Sequence, residues 1–160
     1  MGMMTVRSAM GRRGPAVVTM AAGALVMVGA SLLPWVRTGG VRRNSYDLLA
    51  LVERLGFASD GPAEPALRWW PLMPLLAAVA VIAVWWGWPR TGGLVGVVAA
   101  IYGGAVGLAV SRVAADVVDV EPGPTVTFLG ALILGGGSLA AIVLGWQPEV
   151  ERFSSTRPER

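Results

Sequence analysis

The chain has 160 residues, 54% of them hydrophobic, and its 13 basic and 10 acidic residues give a formal net charge of +3. Its apolar residues occur in blocks long enough to cross a bilayer, which is not typical of a soluble domain of this size. Because the chain has no cysteine and no histidine, disulfides, thiolate nucleophiles, the usual zinc sites and histidine-ligated haem are excluded, and we expect no metal or cofactor.

All the basic residues are arginines, which is typical of GC-rich genomes and favours an actinobacterial source. In a membrane protein, arginines near helix ends set the topology and contact anionic lipid headgroups. We therefore expect membrane lipid as a partner and no nucleic acid.

The chain begins with a short basic segment followed by an apolar block. Residues 1–14 predict a disordered cytoplasmic arm, and residues 15–33 predict a first membrane span, which Pro34 ends. A cleaved signal peptide is the alternative, because small residues occur around Gly29 and Ala30. The block is long for a signal sequence and further apolar blocks follow, so we favour a retained span.

The long hydrophilic segment, residues 34–70, predicts an extracytoplasmic loop that contains a short amphipathic helix at 45–56. Asn44 or Ser45 can cap this helix, and Asp47 lies in its first turn. Leu48, Leu51, Val52 and Leu55 share one face, so the helix either lies on the membrane surface over the mouth of the bundle or docks onto a partner.

The same loop holds the main concentration of charged groups, in which arginines could act as anion clamps beside carboxylates such as Asp47. No spacing matches a known catalytic motif, so we expect the chain not to be an enzyme. The candidate interaction residues of the loop are Arg42, Arg43, Tyr46, Asp47, Leu48, Leu51 and Leu55.

A resemblance to a known group rests on the string Leu33-Pro34-Trp35-Val36-Arg37-Thr38-Gly39-Gly40 and on Arg43-Asn44-Ser45-Tyr46. This pattern resembles small, uncharacterised actinobacterial four-helix integral membrane proteins, in which a Pro-Trp pair follows the first helix and precedes a glycine turn and a short helix. The resemblance covers about the first ninety residues. It implies a four-helix membrane fold, and because the group has no established activity, it implies no catalytic residues.

Residues 71–88 predict a second span, whose helical rise between the flanking tryptophans is roughly 24 Å. Aromatic side chains concentrate at both interfaces of a bilayer. The tryptophans predicted to anchor the protein at these interfaces are Trp35, Trp69, Trp70, Trp85, Trp86, Trp88 and Trp146.

Residues 92–110 predict a third span with a face of small residues, which comprises Gly92, Gly96, Ala100, Gly103 and Gly107. In lipid, small residues allow helices to approach closely. The partner of this face is another span of the same chain, a helix of another protein, or a second copy that packs through Gly96, Gly103 and Gly107.

Residues 126–146 predict a fourth span, in which the glycines at 135–137 allow a kink or a close crossing. Residues 147–160 predict a disordered cytoplasmic tail. The four predicted spans contain no ionisable acid or base, which argues against an ion-coupled transporter.

The sequence thus predicts an all-α, polytopic membrane domain over residues 15–146, with four transmembrane helices and both termini cytoplasmic in a bacterial plasma membrane. The function we favour is that of a non-catalytic accessory or assembly subunit of a larger envelope, transport or respiratory complex. Its partners would be other membrane subunits or further copies of itself. The alternative is a small self-contained transporter or lipid-binding membrane protein.

Overall fold

A computed structural model describes residues 3–38, 40–55, 68–114 and 119–155. The part of the predicted loop between the amphipathic helix and the second span falls mostly outside these residues. The elements in chain order are α1 (Met3–Leu32), β1 (Pro34–Thr38), β2 (Val41–Asn44), α2 (Ser45–Leu55), a 3₁₀ turn (Trp70–Leu72), α3 (Met73–Trp85), α4 (Pro89–Ala114), β3 (Asp119–Val120) and α5 (Gly123–Ser155).

Three of the described helices are long and apolar enough to cross a membrane. These segments are residues 14–32 of α1, 89–112 of α4 and 123–145 of α5. The second predicted span corresponds to a shorter apolar helix, Trp70–Trp85, which consists of the 3₁₀ turn and α3. The chain is therefore a mostly helical protein with three helices that could span a membrane.

The four apolar helices form a ring in which α1 packs on α5, α5 on α4, α4 on α3, and α3 less extensively on α1. Each neighbour in this ring runs antiparallel to the next, because the chain reverses direction at every connection between them. The tightest connection is the turn between α3 and α4, where Gly87 adopts a φ of 96°.

The centre of the bundle is built from methionine and small residues, while the large branched side chains point outwards. Met20, Met27, Met73 and Leu134 are fully buried, together with Ala77, Ala80 and Ala99. Methionine is flexible enough to fill the irregular gaps between closely spaced helices. Leu94, Ile101, Leu132 and Leu139 are exposed, which is the distribution expected of helices surrounded by lipid.

Hydroxyl groups in the long helices bond to the backbone of their own helix. Thr127 Oγ1 donates to the carbonyl of Gly123 at 2.9 Å, and Ser138 Oγ donates to that of Leu134 at 2.7 Å. Ser111 makes the same bond to Gly107. A hydroxyl satisfied in this way needs no partner from another helix in an apolar surrounding.

A small domain, here termed the cap, covers the end of the bundle at which α1 and α4 end and α3 and α5 begin. It consists of α2 and an antiparallel sheet with the strand order β2-β1-β3. Val36 at the centre of β1 pairs with Arg43 on one side and with Val120 on the other. At the β1–β2 turn, Gly40 has a φ of 109°, a conformation that favours glycine.

The sheet corrects the all-α prediction, because the segment predicted as an irregular loop before the amphipathic helix forms a hairpin. In contrast, α2 lies where the amphipathic pattern predicts a helix. The glycines at 135–137 do not break α5, since the helix is continuous through them.

Both predicted disordered termini also differ from the structure. The first helix begins at Met3 rather than near residue 15, and the last continues to Ser155 rather than ending at 146. Once a helix exists, each added residue costs little, and good helix formers occur in both extensions, Met and Arg in the first and Glu and Arg in the second. The apolar blocks therefore mark the segments that are apolar enough to cross a membrane but not the ends of the helices.

Candidate functional site

Two of the predicted interface tryptophans lie inside the protein, where the cap meets the bundle. Trp35 is 1% exposed and Trp70 is 3% exposed. Their ring centroids are 5.2 Å apart in an edge-to-face arrangement, and Trp35 Nε1 donates to the carbonyl of Ala30 at 2.9 Å. The prediction that these two anchor the protein at a lipid interface is therefore wrong, because their rings and N–H groups are used within the fold.

A buried hydroxyl completes this contact. Ser45 Oγ donates to the carbonyl of Ser31 at 2.7 Å, and Trp70 Nε1 donates to the same Oγ at 3.2 Å. Tyr102 of α4 lies next to Trp70, with 6.1 Å between ring centroids. We term Trp35, Ser45, Trp70 and Tyr102 the aromatic joint. It connects the end of α1 and the start of α2 to α3 and α4.

The remaining helix, α5, begins against the same joint. A Cβ placed at Gly123 would lie 2.7 Å from both the carbonyl oxygen of Pro34 and Nε1 of Trp35. Only a residue without a side chain allows α5 to start so close to β1. The cap is therefore in contact with all four helices of the bundle.

The other tryptophans are arranged as interface anchors would be, and that role stays a prediction. Trp69 is exposed at the cap end of α3, while Trp85, Trp86 and Trp88 are exposed at its opposite end, with Trp86 at 74%. Trp146 belongs to α5, and its side chain lies outside the described part of the structure.

A pocket of about 260 Å³ lies between β2 and α2, and we term it the basic pocket. Its lining residues are Val41, Arg42, Arg43, Asp47, Ala50, Leu51 and Arg54. Three arginines from two different elements thus line one cavity, and Ala50 and Leu51 contribute apolar side chains to its lining.

A capping box fixes the angle at which α2 leaves β2 and so shapes this pocket. Asn44 Oδ1 accepts hydrogen bonds from the backbone N–H groups of Tyr46 at 3.0 Å and Asp47 at 2.9 Å. In return, the N–H of Asn44 donates to Asp47 Oδ2 at 3.4 Å. This reciprocal pattern satisfies N–H groups that a helix start leaves without partners.

The charges around the basic pocket are only partly neutralised. Arg42 Nε lies 3.5 Å from Glu121 Oε1, but the Arg42 side chain is 65% exposed, so this pair contributes little stability. Arg43 Nε is buried and has no hydrogen-bond partner among the described residues. A buried donor without a partner costs about 1–3 kcal/mol.

The basic pocket brings together Arg42, Arg43, Asp47 and Leu51 from the predicted loop interaction residues. Tyr46 instead packs against the core, and Leu48 is half-buried outside the pocket. The side chain of Leu55 lies outside the described part of the chain.

Val41, Ala50 and Arg54 line the pocket but are not among the predicted interaction residues, and Arg54 is the charged one of the three. Positions 47, 50, 51 and 54 follow the helical spacing i, i+3, i+4 and i+7. That spacing is the signal that could have identified Arg54.

The small-residue face of α4 is covered by the other helices of the same chain. A Cβ at Gly92 would lie 2.7 Å from the carbonyl oxygen of Ala80 in α3, and one at Gly107 would lie 2.8 Å from that of Pro124 in α5. Gly96 faces α5 and Met20 of α1, and Gly103 faces Met27 of α1. Ala100 is buried as well. A second copy therefore has no access to these glycines.

No protein-family model, no curated protein and no solved structure matches this chain. The resemblance to small actinobacterial four-helix membrane proteins accordingly stays a prediction.

Proposed function

We propose that this chain is a self-contained, four-span protein of a bacterial plasma membrane, and that it binds membrane lipid and catalyses no reaction of its own. Both termini are cytoplasmic in this proposal, and the cap lies on the outer surface. This is the alternative that the sequence leaves open, and the packing of the helices supports it over an accessory subunit.

The observation that carries this proposal is the occupied small-residue face of α4. Close approach through small residues is the main way in which helices associate in lipid, and here α1, α3 and α5 of the same chain use it up. The outer surface carries large apolar side chains such as Leu94, Ile101 and Leu139. In a membrane, such an apolar surface contacts lipid.

Besides the three long helices, the proposal counts the helix formed by the 3₁₀ turn and α3 as a membrane span. Its 16 residues, Trp70–Trp85, rise by about 24 Å, which is somewhat less than the ~30 Å hydrocarbon core of a bilayer. Exposed tryptophans lie at both of its ends, and it packs antiparallel on α4. Local thinning of the bilayer can accommodate a span of this length.

A second candidate is the accessory or assembly subunit, and the short span is the observation that favours it. Leu75, Val79 and Ile82 of α3 are exposed on its outer side. A helix shorter than the bilayer is one that association with another helix can stabilise. A partner subunit would therefore dock along this side of α3.

Gentle purification of tagged protein from its native membrane tests the two candidates against each other. We expect the full chain with bound anionic phospholipid and without a stoichiometric protein companion, as identified by native mass spectrometry. A larger companion in constant ratio would overturn the proposal and select the accessory subunit. Docking at α3 would then require that Val79→Trp releases the companion, while Leu132→Trp, at an exposed position of α5, retains it.

A further inference from the structure

The basic pocket has the composition of a site for an anion rather than that of a solvated charged surface. Arg42 and Arg43 of β2 and Arg54 in the last turn of α2 line it, so two separate elements contribute arginines to one cavity. These arginines line an open pocket of about 260 Å³.

Carboxylates of the protein leave part of this positive charge unbalanced. Counting only the described residues, Arg42 is the one pocket arginine with a carboxylate within 4 Å, namely that of Glu121. Asp47 lines the pocket, but its Oδ2 accepts the N–H of Asn44 in the capping box. The buried Nε of Arg43 has no acceptor within the described structure.

We propose that the basic pocket binds a phosphate group, and that Arg43 and Arg54 are the residues that hold it. Guanidinium groups match the geometry of phosphate oxygens, and charge-assisted hydrogen bonds of this kind are about twice as strong as neutral ones. The apolar side chains of Ala50 and Leu51 accommodate the carbon atoms esterified to the phosphate.

The source of phosphate that the location favours is the headgroup of an anionic phospholipid, and this part of the inference rests on the proposed function. The cap covers one end of the membrane helices, so the pocket lies close to the level at which headgroups occur. Each arginine near an anionic membrane surface contributes about 1 kcal/mol to binding. A soluble phosphate compound offers the same chemistry, and the test below separates the two.

The test is calorimetric titration of the full chain in an uncharged detergent with three probes, which are short-chain phosphatidylglycerol, short-chain phosphatidylcholine and inorganic phosphate. We expect phosphatidylglycerol to bind most tightly, and Arg43→Gln combined with Arg54→Gln to weaken it by roughly tenfold or more. Arg54→Gln alone keeps the buried Arg43 in place and should give a smaller loss in a normally folded protein.

The matched control is Arg112→Gln, which removes an exposed arginine at the same end of the bundle but outside the pocket. We expect it to change the affinity by less than about twofold, since a single exposed charge is largely screened. Equal losses for this control and for the pocket variants would overturn the proposal, because they would indicate a general charge effect. Binding of all three probes that is unaffected by the pocket variants would overturn it too.

The titration also separates this inference from the function on which its lipid part rests. Tight binding of inorganic phosphate that the pocket variants abolish, without preference for phosphatidylglycerol, would support the phosphate site and assign it to a soluble ligand. If the protein instead purifies with a stoichiometric protein companion, the proposed function is contradicted. The phosphate site is then decided separately, by the effect of Arg43→Gln and Arg54→Gln on phosphate binding.

Discussion

Two neighbouring glycines of α5 show how differently adjacent positions in one helix are used. A Cβ at Gly137 would lie 2.8 Å from the backbone nitrogen and 2.9 Å from Cγ of Met20 in α1. A Cβ at Gly136 would have nothing within 4 Å. Gly137 therefore sets the distance between α1 and α5, whereas Gly136 faces outwards.

We expect Gly137→Ala to lower the free energy of unfolding by about 1–3 kcal/mol, because the added methyl forces two backbones apart. Gly136→Ala should leave stability unchanged or raise it by up to about 1 kcal/mol, since alanine is the better helix former. Thermal unfolding of both variants in the same detergent measures the difference. Equal effects of the two substitutions would contradict the close packing of α1 on α5.

For individual residues, the sequence is a better guide to which side chains pack or anchor than to what surrounds them in the fold. The small face of α4 is predicted to pack against a helix, and other helices of the chain lie against it, but helical spacing alone does not say which helix fills it. The tryptophans were all assigned to the interface because an aromatic residue beside an apolar block is typical of an anchor. What distinguishes Trp35 and Trp70 is the hydroxyl of Ser45 and the edge of a second indole, and both reach them only through tertiary structure.

Among the elements, α2 depends most on a single local interaction, because the chain enters it directly from a strand. Asn44 Oδ1 accepts two backbone N–H groups at its start. We expect Asn44→Ala to destabilise α2 by about 1 kcal/mol and Asn44→Asp to preserve it, because an aspartate oxygen can accept the same bonds.

Hydrogen exchange of the backbone amides of residues 46–50 is the measurement for this pair of variants. Faster exchange in Asn44→Ala, with amides of α5 unchanged, is the expected result. Asn44→Ala should also weaken phosphate binding, because the capping box would no longer fix the angle between β2 and α2, the two elements that form the basic pocket. Unchanged exchange in α2 would show that the cap does not rely on its capping box.

The elements of the cap differ in how much local signal they carry. The helix α2 has its cap and its amphipathic pattern in the sequence, and the Gly39-Gly40 pair between two short β-prone segments is a hairpin signal that was interpreted only as a turn. The two residues of β3 carry no such signal. Their position follows from pairing with β1, so no local pattern could have predicted the third strand.

For the whole molecule, the arrangement of the helices places the cap and the turn between α3 and α4 at opposite ends. Because the chain has no native cysteine, single cysteines can report the orientation directly. Val41 is exposed in the cap, and Thr91 is exposed beside the turn. The basic residues Arg7, Arg12 and Arg13 near the start of the chain favour a cytoplasmic location for the end that carries the turn.

We expect a membrane-impermeant maleimide to label Val41→Cys in intact cells and to label Thr91→Cys only after the membrane has been permeabilised. The reverse pattern would invert the proposed orientation. Labelling of both positions in intact cells would contradict the fourth span itself, because Val41 and Thr91 would then lie on the same side.

The pairing of β1 with β3 also determines when the fold can be completed during synthesis. Val36 and Arg43 can pair as soon as the hairpin has left the ribosome, whereas Val120 and Gly123 follow only after α3 and α4. Until then, β1 has an open edge and Trp35 lacks its contact with α5. The fold of the cap can therefore be completed only after α3 and α4 have been synthesised. A chain truncated before β3 would leave this edge of β1 exposed to proteolysis.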